Sequence, residues 1–393
     1  MLKKLFYSIS FCLPFSCTNT VSIENENRLS LIATYQLVVS DEKKILLDNE
    51  TAPKPPYMQI LTGKSGEQML TFFNPYKRAI YFYDYENAFF IGKSNEFERQ
   101  GPNAIPGFAG YFIKNMDSIY VYCRSLELVL TDSTAQVKQR ISLRGGRTDR
   151  NWVFYFPQYL FSTLNSIIEN RGKLIFTGMS PFSIADSLIN KFKLTSLIDL
   201  ETSSLKFVHT YPKELYGSNA NWQEPMFMQP YTELTPEGKM IYSFPVSHNL
   251  YIAALDAEEY KIVYGGSKVA GTIHSIADGR ERTPNELILS HLLQQDLYSG
   301  IIHDPYRNVY YRFMHQGIPD ANFSVPIGKK NVIVIIMDEQ FNYLGETAIG
   351  AGEEWNWQNS FVTTEGLVIE HIDISVDSGE EFLILKTFSI KEL

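Results

Sequence analysis

Short apolar runs separated by polar turn residues recur from about residue 30 to the end of the chain. The stretch 101–143 is typical, because a Gly-Pro-Asn turn precedes apolar runs at Ile119–Cys123, Leu126–Leu130 and Val137–Ile141. The residues between these runs include Asn, Asp, Ser and Thr, which form local side-chain turns and favour antiparallel hairpins. Three or four short strands of this kind predict one blade of a β-propeller.

Six strand groups of this type follow one another along the chain, at 69–91, 119–141, 154–210, 225–264, 300–348 and 360–390. Their spacing of roughly 40–65 residues predicts an all-β protein, a β-propeller of six blades. Seven blades are the alternative if 31–47 and 57–61 form a separate unit, and two stacked β-domains are another. The sixth group is one strand short, so we expect Leu31–Val39 to supply it and to close the ring.

The first 28 residues have a different character. Lys3 and Lys4 precede Leu5–Phe15, an uncharged and mostly apolar run that is shorter than the about 20 residues needed to span a bilayer. The run ends in Ser16-Cys17 and resembles a bacterial lipoprotein signal, in which a small residue precedes a Cys that becomes acylated. We therefore expect a signal peptide at 1–16, a flexible polar tether at 17–28 from lipidated Cys17, and a single propeller domain at 29–393. Such a protein would be anchored to the inner or outer membrane of a bacterial envelope, on its periplasmic or surface face.

Composition supports these predictions. The chain is 14% aromatic, with 24 Tyr and 26 Phe, and aromatic residues favour strands. Its net charge of −9 argues against binding nucleic acid, because that needs basic residues on the surface. Once Cys12 is removed with the signal and Cys17 is acylated, Cys123 is the remaining cysteine, and we interpret it as a small buried residue.

Two motifs resemble a known family. They are Gly101–Ile105 together with Asp117–Tyr122, and Asp304–Phe313. Both are similar to sequences of the domain-of-unknown-function 4221 family, propeller lipoproteins of Gram-negative anaerobes. The resemblance implies a propeller fold and an envelope location, and it implies no reaction and no catalytic residue.

The sequence contains no motif that indicates catalysis or a cofactor. No phosphate-binding loop, GxSxG elbow or HExxH pair occurs. The run Asp377-Ser378-Gly379 is typical of a β-turn and lacks the ligand spacing of a calcium loop. We therefore predict no catalytic residue, metal or cofactor, and regard an enzymatic role as the less favoured hypothesis.

Arginine and tryptophan are frequent anchors of binding surfaces, and they cluster at three places in this chain. The resulting candidates for ligand binding are Arg144, Arg147, Arg150, Trp152, Arg307, Arg312, Trp355 and Trp357. For Arg312 we expect an inner strand facing the central channel. The alternative for the arginines is pairing with acidic residues inside the ring, and for the tryptophans it is packing beneath a blade.

The sequence thus predicts a lipid-anchored binding or scaffold module for a protein, peptide or glycan ligand. The alternative hypothesis is a propeller hydrolase or lyase with a metal at the central channel, for which Glu224, Asn249 and Asp304 are conceivable ligands. A purely structural envelope component is a third hypothesis.

Overall fold

The computed structural model describes residues 20–51, 55–147, 156–180, 186–189, 191–217, 222, 225–276, 283–373 and 381–393. The predicted signal peptide, Cys17, Arg150, Trp152, Glu224 and the turn at 377–379 lie outside the described residues. None of the helices found in these ranges is long and apolar enough to cross a bilayer.

Strands account for most of the regular structure. In chain order they are β1 Ser22–Ile23, β2 Tyr35–Leu46, β3 Met58–Thr62, β4 Gln68–Asn74, β5 Ala79–Asp84, β6 Phe89–Lys93, β7 Phe108–Asn115, β8 Ser118–Cys123, β9 Glu127–Thr131, β10 Gln139–Ser142, β11 Ile168–Asn170, β12 Lys173–Thr177, β13 Lys193–Asp199, β14 Leu205–Thr210, β15 Tyr231–Leu234, β16 Met240–Ser243, β17 Asn249–Ala253, β18 Lys261–Tyr264, β19 Ile273–His274, β20 Leu297–Asp304, β21 Val309–His315, β22 Asn331–Asp338, β23 Tyr343–Ala351, β24 Trp355–Val362, β25 Leu367–His371 and β26 Phe382–Glu392. The α-helices are α1 Asp186–Ile189, α2 Lys213–Tyr216, α3 Pro225–Met228 and α4 Asn285–Gln294, and 3-10 turns lie at Arg28–Ser30, Ile327–Lys329 and Gly352–Glu354.

Four antiparallel sheets each contain four consecutive strands: sheet A is β3–β6, sheet B is β7–β10, sheet C is β11–β14 and sheet D is β15–β18. The remaining large sheet has eight strands in the order β20-β21-β22-β23-β2-β26-β25-β24. We name its halves sheet E (β20–β23) and sheet F (β24–β26 with β2). They meet at one parallel pair, Tyr35 with Gly345. The prediction of an all-β fold with propeller-like sheets is confirmed.

The hairpins are specified locally by Asn or Asp at the start of a turn. Asn74 Oδ1 accepts the backbone N–H groups of Tyr76 (2.9 Å) and Lys77 (3.1 Å). Asp304 accepts the equivalent groups of Tyr306 and Arg307 at 3.0 and 3.1 Å. The residue four positions after each acceptor, Arg78 or Asn308, has a positive φ. The same holds for the residues four positions after Asp84 and Asp199. The side chain replaces the hydrogen bond that the turning backbone lacks.

Central strands are apolar on both faces because each sheet is covered by a neighbour on either side. Ala79–Tyr83 of β5 and Val332–Met337 of β22 are buried along their whole length. Cys123 is also fully buried, and burial raises the pKa of its thiol to about 11, as expected of a structural cysteine.

Several strand predictions are wrong. The run Pro225–Leu234 contains helix α3 before β15, and the described part of Phe154–Tyr159 belongs to none of the six sheets or half-sheets. Arg312 lies on β21, the second strand of sheet E, so its expected place on an inner strand is also wrong. Helix α4 lies in the connection from sheet D to sheet E, where no element was predicted.

In a propeller-like ring the first strands of successive sheets run in the same direction. All connections between sheets, and all turns from a second to a third strand, therefore lie on one face of the ring. We call this the upper face. The turns from first to second and from third to fourth strands lie on the opposite, lower face.

Within the expected flexible tether, residues Val21–Asn25 are bonded to the body. Strand β1 pairs with β19 on the upper face, in the connection from sheet D to sheet E. Asn25 is 8% exposed and its amide donates to the carbonyl oxygens of Ser267 (2.8 Å) and Ala270 (2.9 Å). The expectation of flexibility is therefore wrong for these residues, because their backbone and side chains have specific partners.

Arg312 joins sheets D and E without a carboxylate. It is 0% exposed, and its Nε donates to Ser243 Oγ at 2.9 Å. Its guanidinium lies 3.9 Å from the centre of the Tyr298 ring, and its Nη atoms donate to the carbonyl oxygens of Ser247, His248, Asn249 and Gly265. Burial lowers the pKa of Arg312 to about 10, so it stays cationic at neutral pH.

We expect Arg312→Met to be strongly destabilising, because several buried carbonyl oxygens lose their donor. The free energy of unfolding should fall by more than about 3 kcal/mol, measured by urea denaturation. Arg99→Met is the matched control, since Arg99 is exposed, and should change it by less than about 0.5 kcal/mol. Equal urea midpoints for the two variants would contradict the role of Arg312.

The buried histidines should make the protein acid-sensitive. His248 Nε2 donates to Ile23 O (3.2 Å) while Nδ1 accepts from Tyr298 Oη (2.8 Å), and burial lowers its pKa to about 4. Burial lowers the pKa of His315 to about 3. Because an unfolded histidine titrates near about 6.5, the unfolded state binds protons that the folded state excludes as the pH falls from 6.5 towards 4.

The stability that these neutral histidines contribute should therefore be complete above pH 6.5 and decline below it, seen as a lower melting temperature at pH 5 than at pH 7. His248→Gln can keep both hydrogen bonds and carries no titrating group. Its melting temperature should depend less on pH in this range, and an unchanged pH dependence would argue against His248 as a source.

Candidate functional site

The axis of the ring is occupied by part of the long connection from sheet B to sheet C. We call residues Tyr159–Asn165 the axial segment. Thr163 Oγ1 accepts the backbone N–H of Met58 (2.9 Å) and donates to Asn359 Oδ1 (2.7 Å). The backbone N–H of Leu164 donates to Gln358 O (3.0 Å). The segment is thereby bonded to the first strands of sheets A and F.

Two glycines let the axial segment approach two more first strands. A Cβ atom at Gly110 of β7 would lie 2.5 Å from a ring carbon of Phe161. One at Gly300 of β20 would lie 2.5 Å from Leu164 Cδ1. No real Cβ fits at such distances, so the axial segment fills space that side chains would otherwise occupy. It contacts the first strands of sheets A, B, E and F.

Side-chain amides and carboxylates tie the first strands together around this segment. Gln59 of β3 bonds both backbone groups of Ile113 on β7, at 2.9 and 3.1 Å. Glu233 of β15 accepts the backbone N–H of His303 on β20 at 3.1 Å, and burial raises its pKa to about 7. Asn359 donates to Glu370 Oε2 at 2.7 Å across sheet F. These polar groups near the axis form hydrogen bonds within the protein.

A pocket of about 690 Å³ opens on the upper face between sheets A and B, beside the axial segment. Seven aromatic rings line it: Tyr57, Phe73, Phe108, Tyr111, Tyr122, Tyr159 and Phe161. The rest of the lining is Pro56, Pro75, Ala109, Gly110, Arg124, Gln158 and Leu160. We call this the aromatic pocket.

The rings hold one another in place. Phe73 and Phe108 stack with 3.5 Å between their centroids and 7° between their planes. The edge of Tyr57 meets Tyr111 at 4.9 Å, and Tyr122 meets Phe161 at 5.1 Å. Stacked and edge-to-face contacts of this kind stabilise aromatic clusters beyond simple burial. The pocket walls are therefore preformed.

Polar groups in the aromatic pocket are few. Tyr111 Oη bonds Thr71 Oγ1 at 2.9 Å and Tyr159 Oη bonds Ser196 Oγ, so both phenols are already engaged. Burial raises the pKa of both, which keeps them neutral at pH 7. Arg124 is exposed at the rim, and within the described residues its guanidinium has no hydrogen-bond or ion-pair partner. The pocket thus combines apolar walls with one available cation.

Of the arginines singled out from the sequence, those that the structure describes are not brought to this pocket. Arg144 and Arg147 lie in the turn after β10, where Gly145 and Gly146 have φ of +54° and +80°. Arg307 donates to Asp304 Oδ2 (2.9 Å) and to the backbone of Thr364 (2.8 Å), joining sheets E and F. Arg312 is enclosed as described above, and its donors are engaged by the protein.

The two tryptophans of β24 also pack within the protein. Trp355 is 6% exposed and donates from Nε1 to Ile349 O at 2.9 Å. Trp357 is partly exposed and meets the ring of His315 at 4.5 Å. A bulge between Asn356 and Ser360 follows them. The packed alternative describes both residues better than an exposed stacking pair.

The metal-site alternative has no set of ligands in the described residues, where no group of three or more His, Cys, Asp or Glu converges. Asp304 is fully buried and bonded to Tyr311 Oη (3.0 Å) as well as to Arg307. Asn249 uses its backbone carbonyl to accept from Arg312.

A family model described as domain of unknown function (DUF4221) matches residues 34–348. A DUF4221 member from Bacteroides vulgatus superposes with a TM-score of 0.76 at 18% identity, covering 92% of this chain and 99% of the other. A Bacteroides fragilis protein named as exported superposes with a TM-score of 0.51 at 10% identity, covering 90% and 95%. No curated protein matches.

The close approach at Gly110 gives a test of the axial segment. Gly110→Ala should displace Phe161 and lower the free energy of unfolding by about 1–3 kcal/mol, measured by urea denaturation. Gly92→Ala is the matched control, because a Cβ there meets no atom within 4 Å, and should be near neutral. A Gly110→Ala protein as stable as wild type would contradict the packing described.

Proposed function

The chain belongs to the DUF4221 family, and on that premise we propose that it is a lipid-anchored envelope protein that binds a peptide segment in its aromatic pocket. The single observation that carries the binding role is the preformed pocket of seven aromatic rings with Arg124 at its rim, whose guanidinium has no partner among the described residues.

The proposed ring has six blades. Sheets A to D supply four, and sheets E and F supply two, since they share one parallel pair while each is antiparallel within itself. In this proposal β2 closes the ring as the outermost strand of sheet F, and its pairing with β26 from Tyr35 to Leu46 supports that role. With β2 in place, β26 is not left as an exposed edge strand of sheet F.

The proposed location is the bacterial envelope, through acylation of Cys17 after removal of residues 1–16. Support comes from the two N-terminal lysines, the short apolar run and the small residue before Cys17. The Bacteroides fragilis protein named as exported is compatible with this location. The proposed boundaries are a signal peptide at 1–16 and a mature chain from Cys17, in which Val21–Asn25 is bonded to the body.

The chemistry of the pocket favours a peptide over a glycan. Its volume lies within the about 300–1,000 Å³ typical of small-ligand sites. A sugar would bury hydroxyl groups that need partners; the phenols of Tyr111 and Tyr159 are already bonded, and the phenol oxygen of Tyr57 is buried away from the pocket surface. An aromatic or large aliphatic side chain needs only the apolar walls, and a neighbouring carboxylate would pair with the fork of Arg124.

The first test uses anilinonaphthalene sulfonate, which joins aromatic rings to an anion, on the chain from Thr18. Wild type should bind it saturably at one site, read by fluorescence. Ala109→Trp should fill the pocket and weaken binding at least about tenfold, and Arg124→Met should weaken it several-fold. Arg99→Met, an exposed arginine elsewhere, is the control and should bind as wild type does.

The second arm identifies the ligand class by displacement of the same probe. Acetyl-Phe-Glu-amide should displace it from wild type, and cellotriose should not. Displacement by the sugar alone would overturn the peptide assignment. Wild-type affinity in Ala109→Trp would overturn the pocket as the site.

A further inference from the structure

The position of the docked N-terminal segment limits where a lipid anchor can be. The backbone N–H of Val21 donates to Ser275 Oγ (2.9 Å), and Ser275 N–H donates to Val21 O (2.8 Å). Asn25 Oδ1 accepts from Tyr264 Oη at 2.7 Å, in addition to the bonds of its amide group. His248 Nε2 donates to the backbone carbonyl oxygen of Ile23. The segment is therefore fixed on the upper face at several independent points.

Cys17 is four residues from the docked Val21. An extended chain spans at most about 3.3–3.6 Å per residue, so the sulfur-bearing residue cannot lie more than about 14 Å from Val21. Acyl chains on Cys17 insert into a bilayer, so the bilayer surface must come within that distance of β1 and β19. A freely flexible tether of 12 residues would set no such limit.

The upper face also carries exposed apolar side chains, on connections between sheets and on turns from a second to a third strand. They are Tyr76, Leu160, Leu188, Met226, Val269, Leu287, Leu289, Phe323 and Ile327. Leu287 of α4 is 60% exposed and Phe323 is 51% exposed. Among the described residues at the lower face, the large exposed apolar ones are Met116, Tyr306 and Phe89 at the start of β6, with Leu29, Ile32 and Leu393 near the same end of β2. Apolar side chains of this kind partition into the interface of a bilayer.

We propose that the upper face of the ring lies against the lipid surface, which rests on the proposed acylation of Cys17. The docked segment Val21–Asn25 sets this orientation, and the exposed apolar side chains of the upper face contact the bilayer interface. The aromatic pocket opens on the same face. Its ligand is then a peptide segment close to the membrane, such as the juxtamembrane part of another envelope protein.

The test compares two labelling positions on the acylated full-length chain in vesicles of phosphatidylethanolamine and phosphatidylglycerol. Leu287→Cys on the upper face and Tyr306→Cys on the lower face are each made with Cys123→Ala and labelled with an environment-sensitive nitrobenzoxadiazole dye. Fluorescence at position 287 should rise several-fold on vesicles and be quenched by nitroxide lipids. Fluorescence at position 306 should not change.

Equal responses at the two positions, or a larger response at 306, would overturn the inference. Asn25→Ala with Ser275→Ala removes four of the hydrogen bonds that dock the segment and leaves the β1–β19 pairing and the His248 bond, so the difference between positions should shrink. A difference that persists unchanged would overturn the role of the docked segment in setting the orientation.

Mass spectrometry of the purified chain separates this inference from the proposed anchor. If Cys17 carries no acyl group, the anchor in the proposed function fails, and the chain from Thr18 is bound instead through an N-terminal histidine tag to nickel-chelating lipid. A preference for 287 on those vesicles would support the docked orientation by itself. No preference on them would overturn it.

Discussion

The structure depends on one constraint, which is that each small sheet is apolar on both faces and has to be covered on both. A pair of stacked sheets would leave two faces in water, whereas a ring covers every sheet with its neighbours. The ring in turn brings the first strands of the sheets towards one axis, and the space between them has to be filled. Here the chain fills it with its own backbone and with Thr163, Leu164 and Phe161. The axis is a packed core, and open space for a ligand lies beside it.

Much of this fold is predictable because its signals are local. The Asn and Asp residues that begin hairpins, and the apolar runs between them, mark second, third and fourth strands well. First strands are harder to predict. Gly110 interrupts β7 and makes the run look like a loop, although its absent side chain admits Phe161. Strand β11 has only three residues and offers almost no pattern.

The candidate binding residues were harder to predict than the strands, for a different reason. The type of a residue indicates what it can bond, and the fold decides what it does bond. Arg312 satisfies backbone carbonyls, which no sequence pattern marks. Asn25 lies in a polar run typical of a flexible tether, yet its amide finds two such carbonyls as well. The aromatic pocket joins residues from Tyr57 to Phe161. The sequence offered two weak signals for it, the high aromatic content of the chain and the isolated Gly110.

The pairing of β2 with β26 has a consequence for how the molecule is made. Tyr35 pairs with Glu392, which is synthesised long after it. Strand β2 must therefore stay without this partner, with its backbone groups exposed to water, until β26 has left the ribosome. Contacts between such distant residues slow folding. Ring closure is then a late event of synthesis, and until it happens the backbone groups of β2 can pair with another chain.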